Sequence, residues 1–341
     1  MTLAITIKDV AREAGVSIAT VSKILNHKPG ISEKTTQHVH EVMETLGYVP
    51  NRHAASLARK TARSIAFLAG FTQNEAYSNP HLFDILCGVQ DVLGKREYSL
   101  LMVDASGDGA TCNAAKRVIG QKLADGMIVH ASVMTRAMAA LLAQSGFPHI
   151  IIGKPKQGGR LCWMDSNHAL GGQLATEHLI ARGYAKIAFI GNRPEEEISK
   201  LRLEGYYSAL REHGVLENEA YVCYTESRFE QQCHAIHDFL EVRRPDALVC
   251  ASNLLAAAAY KAAGWLGVDI PGALAVITFD MHPHTDALLP KPTLVHIKVF
   301  DMGREAAKSV LRMLKNPSLQ VQSYTTLPEI VVNETTPPLR E

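Results

Sequence analysis

From Ser64 onward, short apolar runs alternate with helical stretches, and this alternation constrains the fold more than any other feature of the sequence. The apolar, β-rich runs are residues 65–71, 99–103, 127–129, 150–152, 187–190, 247–251 and 274–279. The helical stretches between them are residues 82–95, 134–144, 171–182, 200–213, 229–242 and 254–266. Such alternation predicts parallel sheets with right-handed crossovers, and the segment is too long for one hydrophobic core. We therefore expect two doubly wound, parallel-sheet α/β subdomains that bind ligands outside the carboxyl ends of their strands.

The first 47 residues predict a separate all-α head. Thr6 followed by Asp9 has the pattern of a helix N-cap with an acid three residues later, and Ser17 and Ser32 are predicted to cap two further helices. Gly47 is predicted to end the third helix. A helix, a tight turn, a second helix and a third packing helix form the helix-turn-helix layout, which binds DNA. The spacing alone leaves open a small three-helix bundle with only a structural role.

Residues 48–63 are predicted to form a linker that contains a short helix, capped by Asn51 and continuing through Leu57. This helix is too short to be stable alone in water, so we expect it to fold against a partner. A solvated connector is the alternative. The segment contains no acidic residue, and its basic residues are Arg52, Arg59, Lys60 and Arg63.

Charge is distributed unevenly along the chain. The formal net charge is +1, but basic residues outnumber acidic ones in the first 63 residues and the reverse holds in the rest. A basic head on a mildly acidic body is typical of a protein that contacts a polyanion.

Cysteine spacing and hydropathy predict a cytoplasmic protein. The six cysteines are spread singly without a C-x-x-C pair, which excludes zinc-ribbon and thioredoxin-like proteins and fits reduced thiols. Charged residues interrupt the start of the chain, and no apolar run approaches the length of a bilayer-spanning helix. We therefore expect no secretory signal and no membrane partner.

Motifs for the common catalytic and cofactor sites are absent. The sequence has no phosphate-binding P-loop, no G-x-S-x-G, no H-E-x-x-H, and no G-x-G-x-x-G after a strand. His282-Pro283-His284 is a tight histidine pair near Asp280, but it lacks a third and fourth metal ligand, so a polar loop is the better interpretation. We expect no catalytic residue, no metal and no cofactor, and we predict that the protein is not an enzyme.

Several stretches resemble one family of transcriptional regulators. Residues 6–26 (TIKDVAREAGVSIATVSKILN) closely resemble the DNA-binding head of LacI/GalR-family repressors, and LGYVPN at 46–51 with AASL at 54–57 resembles their hinge segment. Weaker resemblance continues through Asn79-Pro80, RLEGY at 202–206, Ile270-Pro271 and VITFD at 276–280. The resemblance implies a periplasmic-binding-protein-like core, a homodimer, a palindromic DNA operator and a small-molecule effector, commonly a sugar or another metabolite.

The second helix of the head carries the predicted DNA readers. Its apolar stripe is Val21, Ile24 and Leu25, so the residues off this stripe are expected to face the major groove. These residues are Ile18, Ala19, Ser22 and Lys23. Ile18 and Ala19 suit contact with thymine methyl groups, and Lys23 suits donation to guanine, although packing of Ile18 is an alternative. The DNA-binding set also contains Thr6, and the residues assigned to phosphate contacts and caps are Ser17, Thr20 and Asn26.

Leu57 is the clearest prediction in the linker. In the resembling family a leucine at this position wedges into a central base step of the minor groove. The bend that this wedge permits offsets the free-energy cost of unstacking the bases. Packing against its dimer mate is the alternative interpretation. Ala55 stands where the family more often has a basic residue, so affinity is expected to depend more on Arg52, Arg59 and Lys60.

Arg202 and Asp280 match family positions that commonly contact the effector. Forked donors and bidentate acceptors suit polyhydroxyl ligands, whereas a structural salt bridge across the cleft is the alternative. His81 and Leu82 stand where family members often place aromatic rings, and Asn253 stands where they usually have Asp.

Two further residues complete the predicted effector site. Asp165 lies near the crossover between the subdomains, and Phe229 supplies a stacking ring, with Tyr224 as its alternative. Glutamates at 195–197 argue against a strongly anionic effector unless they point to solvent.

These observations predict a helix-turn-helix domain (1–47), a hinge helix or linker (48–63) and an effector-binding, dimerising core (64–341). The N-subdomain is expected at about 64–164 and 295–322, and the C-subdomain at about 165–292 and 323–341. The predicted function is repression of a carbohydrate or metabolite operon by a homodimer on double-stranded DNA. A regulator whose core responds to a protein co-regulator and a sugar receptor without a DNA role are the alternatives.

Overall fold

The computed structural model describes residues 5–25, 28–48, 61–72, 81–107, 110–157, 161–226, 228–281, 283–319 and 321–339. The chain forms two compact units, Met1–Arg63 and Ser64–Glu341. Within the described residues, no helix is long and apolar enough to cross a membrane.

The first unit contains three helices, α1 (Ile7–Glu13), α2 (Ile18–Leu25) and α3 (Glu33–Leu46). The Asp9 carboxylate accepts hydrogen bonds from the Thr6 N–H (3.0 Å) and hydroxyl (2.7 Å) and closes the first turn of α1. Ser17 Oγ accepts from the Thr20 N–H at 3.0 Å, and Ser32 Oγ accepts from the backbone N–H three residues later. Gly47 ends α3 in the left-handed region at φ +63°. The predicted helix starts and the predicted end at Gly47 are confirmed.

The helices of the head share one small apolar core. Its buried residues are Val10, Ala11, Ala14, Val21, Ile24, Val39 and Met43. Because the apolar faces of all three helices meet there, the opposite face of α2 is left to solvent.

The first lobe of the second unit is a parallel sheet with the strand order β11-β5-β4-β3-β1-β2. Its strands are β1 (Ser64–Ala69), β2 (Ser99–Asp104), β3 (Gly126–His130), β4 (His149–Ile152), β5 (Trp163–Ser166) and β11 (Tyr324–Thr326). Its helices are α4 (His81–Gly94), α5 (Ala110–Gly120), α6 (Arg136–Ser145) and α12 (Val299–Lys315). Buried residues of the central strands, such as Phe67 and Ile128, pack against α4 and α12.

The second lobe has the strand order β12-β10-β9-β8-β6-β7, parallel except for the β10–β12 pair. Its strands are β6 (Ile187–Gly191), β7 (Val222–Tyr224), β8 (Ala247–Cys250), β9 (Ala275–Phe279), β10 (Thr293–His296) and β12 (Glu329–Val331). Its helices are α7 (His168–Ala181), α8 (Glu197–Glu212), α9 (Phe229–Arg243), α10 (Asn253–Leu266) and the short α11 (Pro283–Asp286). The predicted fold class, a helical head and two parallel-sheet α/β subdomains, is confirmed.

The chain passes between the lobes after β5, after β10 and after β11. Each passage lies a few residues from the boundary expected from the sequence. The strand β10 belongs to the second lobe and β11 to the first, so the last two boundaries fall slightly later in the chain than expected. The sequence patterns do not predict the helices α5, α11 and α12 or the short strands β5, β7, β10, β11 and β12.

Helices α7 and α8 pack at direct backbone contact. A Cβ atom at Gly172 would overlap the Arg202 carbonyl, and one at Gly205 would overlap the Ala169 carbonyl. Glycine therefore allows the close approach that brings the start of α7 beside the middle of α8.

Candidate functional site

The exposed face of α2 carries the side chains predicted to read DNA. Ile18 is 46% exposed, and Ala19 and Lys23 are exposed, while Val21 and Ile24 are buried. An exposed apolar side chain beside a cation is compatible with the thymine-methyl and guanine contacts predicted for this helix.

Two of the predicted phosphate contacts, Ser17 and Thr20, lie at the start of α2. Ser17 and Thr20 hydroxyls are 2.9 Å apart, and the Thr6 hydroxyl is engaged by Asp9. Ser22 is half-buried on α2. The other predicted DNA-binding residues lie outside the described residues, namely Asn26, Arg52, Leu57, Arg59 and Lys60.

In the second unit, charged side chains converge between the lobes at the carboxyl ends of the strands. Asp280 directly follows β9, and its Oδ2 lies 2.9 Å from His81 Nε2 and 3.7 Å from Arg202 Nη2. His81 begins α4 in the first lobe, whereas Arg202 lies on α8 in the second. The structure therefore brings together three of the residues predicted for the effector site.

Arg202 is fully buried and held on several sides. Its guanidinium carbon lies 3.8 Å from the centre of the Phe279 ring, and its Nη1 donates to the Ala251 carbonyl. Its Nη2 lies 3.4 Å from His168 Nδ1, and His168 Nε2 lies 3.2 Å from Asp165 Oδ1. These two contacts fit one tautomer, in which Nδ1 accepts from the arginine and Nε2–H donates to the carboxylate.

Burial and neighbouring charge act in opposite directions on these groups. Burial lowers the pKa of Arg202, and the negative charges of Asp280, Glu196 and Asp165 oppose that shift. Burial alone would raise the pKa of Asp280, but the facing groups His81, Arg202 and His168 lower it below its ordinary value. The surroundings of the buried Asp280 carboxylate therefore favour its ionised form.

Three buried atoms of the site have no hydrogen-bond partner among the described residues. They are Arg202 Nε, Asp280 Oδ1 and Asn253 Nδ2. A buried polar atom without a partner costs free energy, and a bound molecule with both acceptor and donor groups would remove that cost. Hydroxyl groups have this combination.

The remaining predicted effector residues differ in their surroundings. Asn253 is buried at the start of α10, and Asp165 is bonded to His168 and to the Lys154 N–H. Leu82 belongs to the apolar core of the first lobe. Phe229 is partly exposed, and its ring lies 5.7 Å from Lys261 Nζ on the outer face of α9 and α10.

His168 is the residue of this cluster that sequence reasoning missed. It is buried between Asp165 and Arg202, which lie far from each other in the sequence. The available signal was the polar run that follows β5, in which Asn167 caps α7 and accepts from the Leu170 N–H.

Metal binding has no support in the described residues, where no three histidine, cysteine or carboxylate side chains are grouped to hold an ion. His282, the first residue of the histidine pair, lies outside the described residues.

Two family models match the chain. The model of bacterial regulatory proteins of the lacI family matches residues 6–51, and that of the periplasmic binding protein-like domain matches residues 176–336. The first match covers the three helices of the head, and the second covers most of the second lobe.

Curated relatives match over nearly the whole chain. The transcriptional regulator DegA of Bacillus subtilis is 30% identical over 98% of this chain and 98% of its own length. The transcriptional regulator GalR of Escherichia coli is 30% identical over 96% of this chain and 94% of its own length. The repressor PurR of Aliivibrio salmonicida is 28% identical over 96% of this chain and 98% of its own length.

Solved structures show the same fold. A lac repressor dimer bound to operator and the anti-inducer ONPF superposes with a TM-score of 0.82 at 22% identity, covering 98% of this chain and 99% of that one. A complex of the transcriptional regulator CelR with cellobiose gives a TM-score of 0.71 at 24% identity, covering 97% and 99%. The chain belongs to the LacI family of bacterial regulatory proteins.

Proposed function

We propose that the protein is a transcriptional repressor that binds a palindromic operator as a homodimer and senses a small molecule between its two core lobes. The observation that carries the proposal is the pairing of a helix-turn-helix head with a buried, charged cluster at the strand ends of a two-lobed core. We assign residues 1–47 to the DNA-binding domain, 48–63 to the hinge and 64–341 to the core. The cytoplasm, where the operator is, is its expected location.

The DNA-binding part of the proposal is supported by the exposed face of α2. Lys23 and Ile18 stand on the side of the helix opposite its buried stripe, where a recognition helix meets base edges. The basic residues of the linker, which include Arg52, Arg59 and Lys60, would neutralise phosphates, and Leu57 would wedge into the minor groove.

The effector part is supported by the chemistry of the core cluster. A guanidinium stacked on Phe279, a charged carboxylate and a primary amide are groups that bind polyhydroxyl ligands through forked and bidentate hydrogen bonds. We therefore propose a sugar or a related metabolite as the effector. The names of relatives agree with this class, since they include the ribose operon repressor of Haemophilus influenzae.

Effector binding in the core and operator binding by the head would be coupled by thermodynamic linkage. An effector that binds one arrangement of the lobes better than another shifts the population of arrangements and, through the linker, the affinity for the operator. Coupling free energies of this type are about 1–3 kcal/mol.

The operator is tested by selecting duplexes from a random library with the full-length chain. An enriched inverted repeat is expected, and its affinity should fall steeply with salt because binding releases counterions. Enrichment of no inverted repeat would contradict the operator assignment.

The effector is tested by a thermal-shift screen of sugars and metabolites. A ligand at 100 times its dissociation constant stabilises the fold by about 2.7 kcal/mol. The Asp280→Asn variant keeps the shape of the side chain and should lose this shift, whereas Asp238→Asn, on the surface of α9, should keep it. A hit that stabilises both variants equally binds elsewhere.

A further inference from the structure

A second concave surface lies on the first lobe, apart from the charged cluster between the lobes. It is a cavity of about 620 Å³ that opens to solvent between α6 and the segment joining β4 to β5. Pockets of about 300–1,000 Å³ hold small organic ligands in proteins. None of the described residues that line this cavity belongs to the cluster around Asp280. The cavity is therefore a candidate for a separate binding site.

One wall of the cavity is a single face of α6. Its four residues recur at helical spacing, and they are Arg136, Ala139, Ala140 and Ala143. Each residue advances the helix by about 1.5 Å, so this face runs about 10 Å from Arg136 to Ala143. The wall is therefore apolar along most of its length and cationic at the end where α6 begins.

The opposite wall belongs to the segment between β4 and β5 and contains Lys156, Gln157 and Leu161. Gln157 Nε2 donates to the Met134 carbonyl at 3.1 Å, just before α6 begins. Leu161 is buried in the same apolar core as Ala139. Contacts on both sides of the cavity thus hold this wall against α6, so the cavity is formed before any ligand enters.

The cavity attracts negative charge. Arg136 and Lys156 line it, and no acidic side chain does so among the described residues. Lys156 lies 3.7 Å from Glu197 of the second lobe, which offsets part of its charge. Arg136 is exposed in the first turn of α6, where the helix dipole adds to its positive charge. The attraction is therefore strongest at the Arg136 end of the apolar wall.

We propose that this cavity binds a medium-chain organic acid. The carboxylate pairs with Arg136, because a planar guanidinium matches a carboxylate with two parallel hydrogen bonds, and Lys156 adds charge from the opposite wall. The alkyl chain lies along Ala139, Ala140 and Ala143, whose methyl groups leave room for it, and is removed from water there. The site depends neither on the proposed operator nor on the proposed effector.

Isothermal titration calorimetry of the full-length chain with octanoate tests this site. Acetate is the control with the same head group and no chain, and octan-1-ol is the control with the same chain and no charge. Octanoate should bind at least about tenfold more tightly than either, because burial of each methylene group and pairing of the carboxylate both contribute. Octanoate that binds no more tightly than acetate or octan-1-ol would overturn the proposal.

Two substitutions on α6 locate the bound octanoate. Ala140→Glu places a carboxylate on the wall of the cavity at an exposed position, and it should weaken octanoate binding by about tenfold or more because like charges repel. Ala137→Glu is the matched control, since it adds the same charge to the same helix at an exposed residue outside the cavity lining. This control should keep the affinity of the wild type.

Circular dichroism shows whether both variants fold. If Ala140→Glu does not, Arg136→Gln removes the charge of an exposed side chain and should also weaken octanoate binding. Octanoate that binds equally to Ala137→Glu and to the folded cavity variant lies elsewhere on the protein, and this result overturns the proposal. Failure to find an operator or a sugar effector would leave the outcome unaffected.

Discussion

The head and the core present their predicted functional side chains in opposite ways. On α2 of the head, Ile18 and Lys23 stand on an exposed face above a small apolar core. In the core, Asp280 and Arg202 are buried and bonded to other side chains of the same cluster. A surface that reads DNA needs a rigid frame, whereas a buried site must exchange internal contacts for ligand contacts. Substitutions should therefore affect binding in the head and both binding and stability in the core.

The largest effect is expected from Arg202→Ala. Removing one partner of a buried charged pair leaves the other uncompensated, so the core should lose about 3–5 kcal/mol of unfolding free energy. The effector response should disappear while the folded fraction still binds operator. Denaturant unfolding and operator titration measure the two properties.

Arg211→Ala is its control, because Arg211 lies in the last turn of the same helix and its pair with Glu217 is exposed. This substitution should lower the unfolding free energy by less than about 1 kcal/mol. Equal costs for the two variants would contradict the contrast between a buried core site and an exposed surface.

Leu57→Ala tests the hinge. The wedge acts only on a specifically bent duplex, so operator affinity should fall much more than affinity for random DNA. Parallel titrations with the two duplexes measure this difference. Similar losses on both would indicate that Leu57 packs only within the protein dimer.

Lys23→Ala tests the exposed face of α2. The preference at one base pair in each half-site should weaken by about 1–3 kcal/mol, because a lysine contact to guanine discriminates between bases. Affinities for single-base operator variants measure the change. Lys28→Ala, an exposed cation beyond α2, should keep the same base preference.

The smallest effect is expected from Ser32→Ala. The Ser32 hydroxyl caps α3, and loss of such a cap costs about 1 kcal/mol of helix stability. Thermal unfolding followed by circular dichroism should show a destabilised head and an unchanged core. An unchanged midpoint temperature for unfolding of the head would show that the cap contributes little to the stability of α3.

Local signals explain which parts of the fold the sequence could predict. The caps at Thr6, Ser17 and Ser32 act within a few residues, and the central strands are continuous apolar runs, so both were recognised. Helix α12 was missed although it is strongly amphipathic, because its N-cap residue Lys298 provides no side-chain cap that would mark its start in the sequence. The edge strands β7, β11 and β12 have only three residues each, which is too short for a periodic pattern.

The candidate site was predictable in its members but not in its contacts. Arg202 and Asp280 were recognised through family resemblance, whereas the role of His168 depends on the close packing of α7 on α8 at Gly172 and Gly205. The contact between His81 and Asp280 depends on how the two lobes are arranged. No local sequence pattern indicates that arrangement.

The central claim is tested most directly by fluorescence anisotropy of the full-length chain on its selected inverted repeat and on a scrambled duplex. The measurement is made with and without a metabolite that stabilises the core. The account predicts a preference for the inverted repeat of about 10³-fold or more, as is typical of specific DNA binding, and a change in that affinity when the metabolite is added. Equal affinity for both duplexes under both conditions would contradict it.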